Sequence, residues 1–423
     1  MSGNSPLKTY GWQLTKAALS FGVVIVYSRY LGALGRGEMS VLLLYLQVAI
    51  MFGELMAGSA MANWLVKYRE GQILPWVALF SLGVLILSGF LIHGFFGVKW
   101  NLLIPLLIQG FSLAWLNIQY NIYQSKGWIG RRNKLQLALE LTKLILLLSV
   151  AFLIPSSDVT SMNVRLMLEV LATVTFVILC ASMFKTRSVW KLAMTVERPP
   201  KGIFFEGLWA QLGHFALFLL NKAPLWLVAQ YLGNTEAGIF ANALLIADTI
   251  WIFSGSFGTI IHSRVIRNSL ESYHQRLLQR YIGFSFIGTL LICLLMVSTP
   301  NAIFIGIFGT SFTLLKYNSM LLIPGILFIS MSTSIGNYLH ATNRFKELLR
   351  NHCLSFCFLF GAILLGFRYE FSVEMVAIGM NLSFLTLLIL HLYTIKWLFK
   401  RGLQLKFNIL LIKRLISIKL ANK

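Results

Sequence analysis

The sequence predicts an all-α membrane protein with about twelve transmembrane helices in two lobes of six. Three observations support this fold class: the composition, the number of long apolar runs, and an internal repeat. Of the 423 residues, 57% are apolar and only 12% are charged, and the mean hydropathy is +0.75. Soluble domains carry about 25% charged residues. So few charges cannot cover a soluble core of this size, which indicates that the surrounding solvent is a bilayer.

Twelve apolar runs are long enough to cross a membrane, since a helical span needs about 20 such residues. The tenth run includes a short helix or re-entrant segment before its span, which starts near residue 317. The first run lacks the short apolar core and cleavage site of a signal peptide and is expected to be retained. The predicted spans are 9–32, 41–66, 73–96, 101–123, 135–155, 163–184, 203–232, 237–262, 279–299, 302–341, 350–367 and 373–396.

These spans divide the chain into an N-lobe at residues 1–200, a C-lobe at 201–397 and a tail at 398–423. The longest polar stretch runs from Lys185 to Gly202, which is too short for a separate folded domain. The tail alternates basic residues with Leu and Ile, a pattern typical of an amphipathic helix lying on anionic lipid.

The net charge of +22 is explained by topology. Most Lys and Arg residues fall in alternate connections and in the tail, whereas the opposite connections hold little more than Arg36, Lys99, Lys316 and Arg368. By the positive-inside rule, both termini are expected in the cytoplasm. The excess of basic residues therefore requires no nucleic-acid partner. The basic connections contain Lys67, Arg69, Lys126, Arg131, Arg132, Lys134, Lys185, Arg187, Lys191, Arg198, Lys201, Arg264, Arg267, Arg276, Arg280, Arg344, Lys346 and Arg350.

A short motif occurs once in each half of the chain. Tyr30-Leu31-Gly32 is followed by Gly37, and Tyr231-Leu232-Gly233 is followed at the same spacing by Gly238. Polar residues within spans also align at this offset, Gln13 with His214 and Ser20 with Asn221. Six spans per half predict a parallel repeat with an axis along the membrane normal, and the glycines suit a tight turn between spans. A channel or scaffold can also be duplicated, but a two-lobed repeat favours a transporter.

Polar stripes on the first and seventh spans predict the substrate cavity. On a helical wheel, Gln13, Lys16 and Ser20 lie within about 60°, and the polar residues of the seventh span lie within about 100°. Charged residues inside a membrane are costly and usually face a cavity or a partner. Arg29 lies near the outer end of its span and is expected to brace the turn, reach the headgroups or contact substrate. The candidate cavity residues are Lys16, Gln13, Ser20, Gln211, His214, Asn221, Lys222 and Arg29.

Two ion pairs are expected because a lysine and a carboxylate lie at matching depth in the membrane on neighbouring spans. Lys222 lies 11 residues before Gly233 and Asp248 lies 10 after Gly238, while Lys16 and Glu54 lie 16 and 17 residues from the equivalent glycines. Each lysine should therefore meet a carboxylate on the following antiparallel helix. We predict the pairs Lys222–Asp248 and Lys16–Glu54, whose carboxylates would take part in charge pairing or ion coupling. Glu140 and Lys143, three residues apart, are also expected to pair.

Several short segments resemble the polysaccharide flippases, the Wzx-type O-antigen and capsule exporters of the MOP (MATE-like) superfamily. Ser28-Arg29-Tyr30-Leu31-Gly32 with Gly37 resembles the end of their first span, and the stretch from Asn221-Lys222 to Arg264 resembles their seventh and eighth spans. The segments 124–127 and 341–344 look like the inner ends of their fourth and tenth spans. The chain departs from the family at Asn221-Lys222, where many relatives have Asp-Arg.

The resemblance implies two six-helix lobes around a central cavity through which an undecaprenyl-pyrophosphate-linked oligosaccharide moves from the inner to the outer leaflet. It also implies a bacterial inner-membrane location and assembly partners such as a polysaccharide polymerase, with the monomer as the functional unit. No cofactor is expected, and a proton or sodium gradient or consumption of the product would supply the energy.

Alternative functions on the same fold are an ion-coupled multidrug exporter and a lipid II flippase. From another class, the alternatives are a membrane-embedded polysaccharide polymerase or ligase and a non-catalytic scaffold. An enzyme is not expected, because the sequence contains no phosphate-binding Gly-Lys pair and no HExxH, CxxC or GxSxG motif. The outer loops are also too short to carry a reactive site.

Overall fold

The chain consists of helices and short connections over the residues that the computed structural model describes, which are 6–54, 61, 64–65, 67–154, 160–187, 189, 203–267, 270–342, 344–366 and 371–398. Ten helices in this part of the chain are long and apolar enough to cross a membrane, or eleven if the bent pair in the tenth predicted span counts as one, which confirms the predicted all-helical membrane fold. The helices are α1 (Pro6–Gly53), α2 (Glu70–Phe96), α3 (Trp100–Ser125), α4 (Ile129–Leu153), α5 (Thr160–Lys185), α6 (Ile203–Leu232), α7 (Asn234–Arg267), α8 (Glu271–Ser298), α9 (Asn301–Phe308), α10 (Leu315–Leu321), α11 (Ile323–Ala341), α12 (Phe345–Gly366) and α13 (Val373–Leu398).

Helix α1 contains the first predicted span and the part of the second span up to Gly53. Its apolar part, Leu14–Gly53, has 40 residues, which at about 1.5 Å per residue is twice the thickness of a hydrocarbon core. The backbone at Gly32 leaves the helical region, with φ 63° and ψ −175°, and divides α1 into a first arm (6–31) and a second arm (33–53). Gly233, between α6 and α7, also has a positive φ of 88°. The repeated motif thus gives the same kind of turn in both halves.

The tenth predicted span is broken, as its sequence indicated. A short helix (α9) and a 3-10 turn at Thr310–Phe312 precede α10, and α10 with the turn meets α11 at a bend of 53°. Pro324 lies in the first turn of α11, where its missing N–H leaves no helical bond unmade and its fixed φ suits a helix start.

The two largest hydrophobic clusters among the described residues correspond to two lobes. One core is built from α1–α5, the N-lobe, and the other from α6–α13, the C-lobe, with Ala33 of α1 reaching into it. The lobes meet where α1 packs along α7 and also contacts α6, α9 and the 3-10 turn. The predicted boundary at 200/201 and the tail after Leu398 lie outside the described residues.

The second glycine of each motif permits backbone contact between the lobes. A Cβ atom on Gly37 would lie 1.8 Å from the Asn234 carbonyl oxygen, and one on Gly238 would lie 1.9 Å from the Ala33 carbonyl oxygen. Gly37 and Gly238 are helical residues that leave room for the partner helix, whereas Gly32 and Gly233 make the turns. We call this part of the molecule the glycine end, and the opposite part, with Lys67, Arg131 and Arg276, the basic end.

Arg36 does not lie in a connection, as the topology prediction placed it. Its side chain is buried in the second arm of α1, with the guanidinium 5.0 Å from the centroid of the Tyr27 ring. Its Nε donates a hydrogen bond of 2.8 Å to Oδ1 of Asn242 on α7. A very tight turn at Gly32 leaves almost no connecting loop, so Arg36 becomes part of the contact between the lobes.

Candidate functional site

The predicted ion pair between Lys222 and Asp248 is present in the C-lobe. Lys222 Nζ on α6 lies 2.6 Å from Asp248 Oδ2 on α7, and 24% and 37% of the two side chains remain exposed. A charge exposed to lipid in the middle of a span would cost several kcal/mol, and the ion pair lowers this cost for both partners. The pair thus offers a cation and a carboxylate that compensate each other and remain accessible.

The face of α6 that carries Lys222 also lines an apolar cavity between the lobes. Phe218, Leu219, Ala223 and Trp226 line a cavity of about 330 Å³ and recur with Lys222 at helical spacing. The other walls belong to the N-lobe, namely Leu44, Tyr45, Val48, Ala49 and Phe52 of the second arm of α1, and Ser88, Leu91, Ile92 and Phe96 of α2. A cation therefore lies within one helical turn of an open apolar space that residues of both lobes line.

Closer to the basic end, α6 contacts the N-lobe directly. Gln211 Nε2 donates a hydrogen bond of 3.2 Å to the Met51 carbonyl oxygen, and the Phe52 and Phe215 rings are 5.0 Å apart at their centroids. The predicted cavity residue Gln211 is buried and serves here as a contact between the lobes. The lobes therefore contact each other at two levels, at Gly37 and Gly238 and again at Gln211 and Phe215.

The other predicted residues of α6 have separate environments. His214 stacks on His340 of α11, with ring centroids 5.0 Å apart and an interplanar angle of 29°. Asn221 Nδ2 donates a hydrogen bond of 2.8 Å to the Leu217 carbonyl of its own helix. The polar stripe therefore spans three environments, which a helical wheel alone does not distinguish.

The predicted cavity residues of the N-lobe that the structure describes do not form a single site. Arg29 Nη1 donates a hydrogen bond of 3.0 Å to the Gly306 carbonyl of α9, so the side chain braces the glycine end. Ser20 is half-buried in the first arm of α1, and the side chain of Gln13 lies outside the described residues. A role of any of these residues in substrate binding remains a prediction.

The predicted pair between Lys16 and Glu54 is wrong. Glu54 accepts a hydrogen bond from Asn117 Nδ2 of α3. Lys16, on the first arm of α1, interacts instead with Glu140, Lys143 and Arg132 of α4, which packs against α1. Equal distance from the turn sets the depth of two residues, but the direction in which each helix face points depends on its packing.

Lys16 belongs to a basic cluster on α4 and its neighbours. The expected pair of Lys143 and Glu140 is present, with Nζ 3.3 Å from Oε1, and both residues are buried. Arg132 Nη1 donates a hydrogen bond of 2.5 Å to Gln124 Oε1 on α3. Arg132 Nε and the Tyr120 hydroxyl are buried with no hydrogen-bond partner in the described part of the chain. Three cations face one carboxylate in this cluster, which leaves donors available for an anion.

This reassignment predicts energetic coupling of Lys16 with Glu140 and none with Glu54. In double-mutant cycles of Lys16→Gln with Glu140→Gln, we expect a coupling free energy of unfolding above about 0.5 kcal/mol, whereas Lys16→Gln with Glu54→Gln should be additive within about 0.5 kcal/mol. Unfolding titrations in mixed micelles measure both cycles. Additivity with Glu140 and coupling with Glu54 would restore the original pairing.

Sequence reasoning missed several polar residues of the spans. Asn242 joins the lobes through Arg36 and Ser28, and His340, His352 and His391 share a cavity with His214. These residues come from distant parts of the chain, so no local motif marks them. One signal was available, because six of the seven histidines occur in the second half of the sequence.

Comparison of the sequence with protein-family models finds no match, and comparison with curated proteins finds none either. Solved structures do match over nearly the whole chain. The lipid II flippase MurJ in an inward closed conformation has 12% identity and a TM-score of 0.67, with 92% of this chain and 87% of that chain covered.

Two further similar structures are transporters. A MATE protein in complex with MaL6 has 12% identity and a TM-score of 0.64, with 93% and 96% of the chains covered. A MOP superfamily transporter from Pyrococcus furiosus has 13% identity and a TM-score of 0.60, with 93% and 96% covered. The chain therefore has the multi-pass membrane fold shared by MurJ and the MATE transporters of the MOP superfamily.

Proposed function

We propose that this protein is a flippase that moves an undecaprenyl-pyrophosphate-linked oligosaccharide between the leaflets of a bacterial inner membrane by alternating access. The observation that carries the proposal is the position of Lys222 beside the apolar cavity between the lobes. A lipid-linked substrate needs a cation for its pyrophosphate and an apolar surface for its tail. Both lie within one turn of α6.

The ion pair supports a release mechanism. Pyrophosphate oxygens accept hydrogen bonds from an ammonium group and carry more charge than one carboxylate. When the substrate binds Lys222 Nζ, Asp248 loses its partner and becomes free to accept a proton or bind a cation. Movement of the substrate would then be linked to the charge state of Asp248.

The basic cluster of the N-lobe gives the anionic headgroup a second contact. Lys16, Arg132 and Lys143 outnumber Glu140, and the unpartnered Arg132 Nε–H and Tyr120 O–H are hydrogen-bond donors. Arg132 lies in the first turn of α4, at the basic end. On our predicted topology, with both termini in the cytoplasm, this cluster faces the leaflet from which the substrate enters.

The two alternatives on the same fold differ in the charge that they require. A multidrug exporter for cationic compounds would need an excess of carboxylates in its cavity, whereas the described basic cluster and Lys222 are cationic. A lipid II flippase is compatible with both cationic sites, because its substrate also carries an undecaprenyl pyrophosphate. We favour the oligosaccharide carrier on the motif resemblance and expect a monomer that needs no cofactor and supplies its product to a polymerase.

Reconstitution into liposomes tests the function. We expect the purified protein to expose a labelled undecaprenyl-pyrophosphate oligosaccharide to an external reagent, and Ala223→Phe, which fills the apolar cavity, to slow this exposure about tenfold. That factor equals about 1.4 kcal/mol. Ala181→Phe, on the exposed face of α5, is the matched control and should leave the rate unchanged.

Lipid II and a fluorescent cationic drug are tested in the same liposomes. Transport of lipid II alone would replace the proposed substrate, and transport of the drug alone would identify a multidrug exporter. Folded protein that moves none of the three would contradict the proposal.

A further inference from the structure

The C-lobe contains a second cavity, of about 160 Å³, that is separate from the apolar cavity between the lobes. Four histidines on four helices line it, namely His214 on α6, His340 on α11, His352 on α12 and His391 on α13. Further polar groups come from Trp251, Ser332, Thr333 and Asn337, and leucine and isoleucine side chains add apolar surface. The contacts proposed above for the pyrophosphate and the lipid tail do not use this cavity.

Two of the lining side chains are buried and carry polar atoms without a partner. His391 and Ser332 are each 1% exposed, and neither the two ring nitrogens of His391 nor Ser332 Oγ makes a hydrogen bond of normal geometry with any described residue. The Ser332 carbonyl interacts with the His391 ring, but it can accept a hydrogen from only one of the two nitrogens. Buried polar atoms are nearly always paired with protein, water or a ligand. The unpaired atoms therefore indicate a polar occupant.

The wall of this cavity suits an uncharged occupant. Its described lining residues include no Asp, Glu, Lys or Arg, and burial disfavours the charged form of an imidazole. A neutral imidazole has one N–H donor and one acceptor nitrogen. His352 illustrates this, because its Nδ1 lies 2.9 Å from the Gly213 carbonyl oxygen and so carries the hydrogen, which leaves Nε2 as an acceptor. The wall offers donors and acceptors for hydroxyl or amide groups but no cation for a phosphate.

Aromatic rings give the cavity apolar surfaces of fixed orientation. Trp251 Nε1 donates a hydrogen bond of 2.5 Å to Thr333 Oγ1, and His214 and His340 are stacked with their centroids 5.0 Å apart. These four residues and Asn337 are half-buried, so the cavity is not sealed. A sugar ring has hydroxyl groups at its rim and C–H groups on its faces. It can therefore pack its faces on aromatic rings while its hydroxyls reach polar side chains.

The two cavities lie on either side of Lys222. On α6, His214 and Leu217 line the four-histidine cavity, and Leu217 precedes Lys222 by five residues, about 7.5 Å. On a helical wheel, Lys222 lies between the face with His214 and the face that lines the apolar cavity. On α7, Trp251 follows Asp248 by three residues, about 4.5 Å. The order is therefore polar cavity, cation and apolar cavity.

This order matches the parts of the proposed substrate, in which a pyrophosphate joins the first sugar to an apolar tail. We propose that the four-histidine cavity binds the first sugar of the lipid-linked substrate and that this sugar is uncharged. With the pyrophosphate on Lys222 and the tail in the apolar cavity, the first sugar is the group nearest to the histidines. The cavity holds one ring, so the remaining sugars lie outside it. The inference rests on the proposed flippase function and adds the chemistry of the group next to the pyrophosphate.

Binding of matched lipids to the purified protein in micelles tests the inference. The probes are undecaprenyl pyrophosphate without a sugar and the same lipid linked to glucose, galactose, N-acetylglucosamine or glucuronic acid. We expect at least one neutral sugar to tighten binding about tenfold, the effect of one or two added hydrogen bonds. Glucuronic acid should give no gain, because the described wall has no cation for its carboxylate.

Three variants connect this preference with the cavity. His340→Phe keeps the ring stack on His214 but removes the ring nitrogens, and Asn337→Leu removes the amide. Ser332→Ala removes a hydroxyl that has no partner among the described residues, so it should not lower the thermal stability of the protein without ligand. Each variant should reduce the preference for the neutral sugar at least about threefold and leave the affinity for the sugar-free lipid unchanged.

Two further variants separate the sugar contact from the pyrophosphate contact. Lys222→Gln should weaken binding of the sugar-free and the glycosylated lipid by the same factor, because both carry the pyrophosphate. His93→Gln on α2 is the matched histidine control, since His93 Nδ1 contacts the Val98 carbonyl oxygen away from this cavity, and it should bind all probes as the parent does.

Equal affinity of the parent for the sugar-free lipid and for every neutral glycolipid would overturn the inference and leave the flippase proposal intact. Cavity variants that keep the full preference, or an equal gain with glucuronic acid, would overturn it as well. Failure to bind any of the lipids would contradict both proposals. A normal sugar preference without movement of the glycan in liposomes would contradict only the proposed function.

Discussion

Replacing Lys222 with glutamine is expected to reduce transport of the pyrophosphate-linked substrate at least about tenfold, or about 1.4 kcal/mol. The substitution removes the cation that lies beside the apolar cavity and leaves Asp248 without its 2.6 Å partner. Breaking a fully buried pair costs about 3–5 kcal/mol, but 24% and 37% of these two side chains are exposed, so the loss of stability should be much smaller. Initial transport rates at matched protein levels measure the effect.

The neutral double variant Lys222→Gln/Asp248→Asn distinguishes a substrate contact from simple charge compensation. It removes both charges, so stability should return while transport stays low. Recovery of transport would mean that Lys222 serves only to neutralise Asp248. Arg165→Gln is a matched control, because Arg165 and Glu169 form an exposed pair on α5 with a distance of 2.7 Å, and its transport rate should be unchanged.

Alanine at Gly37 is expected to open the glycine end of the lobe contact. The new Cβ would lie 1.8 Å from the Asn234 carbonyl oxygen, whereas carbon and oxygen atoms in contact are about 3.3 Å apart. The atoms in the way belong to the backbone and cannot rotate aside, so α1 and α7 must separate. Overpacking of this kind costs about 1–3 kcal/mol. Gly238→Ala should have the same effect.

Thiol labelling measures this opening in the protein without native cysteines. Ser28, which is fully buried at the lobe contact, is replaced by cysteine, and its labelling rate should rise about tenfold in Gly37→Ala. Ser285→Cys, buried inside the C-lobe, should stay unlabelled if the lobes themselves remain folded. Gly361→Ala is the control glycine, because its Cβ would have no atom within 4 Å. Equal labelling in Gly37→Ala and the parent would contradict the prediction.

The two ion pairs predicted from depth show when residue counting from the turn identifies a contact and when it fails. Lys222 and Asp248 lie 11 and 10 residues from the glycines near the turn, about 16 Å along each helix, where α6 and α7 are still adjacent. Lys16 and Glu54 lie 16 and 17 residues away, about 24 Å, and at this distance from the turn equal depth does not bring them together. There the first arm of α1 packs on α4, and Lys16 meets Glu140 rather than Glu54.

The cavity lined by four histidines shows that a sequence pattern does not reveal contacts between distant helices. His214, His340, His352 and His391 lie on four helices, and each is a single polar residue in an apolar run. Three of the four were not predicted as site residues, because one polar residue in a span does not indicate which neighbour it faces.

The sequence by itself determined the all-helical membrane fold and the glycine turns, because these follow from the length of apolar runs and from local backbone freedom. Only the tertiary structure decided which faces meet. It placed Arg36 between the lobes, turned Lys16 toward α4 and brought four histidines together. The direction of each helix face is set by side-chain packing between segments far apart in the chain, and apolar spans pack on several sides, so their periodicity does not specify that direction.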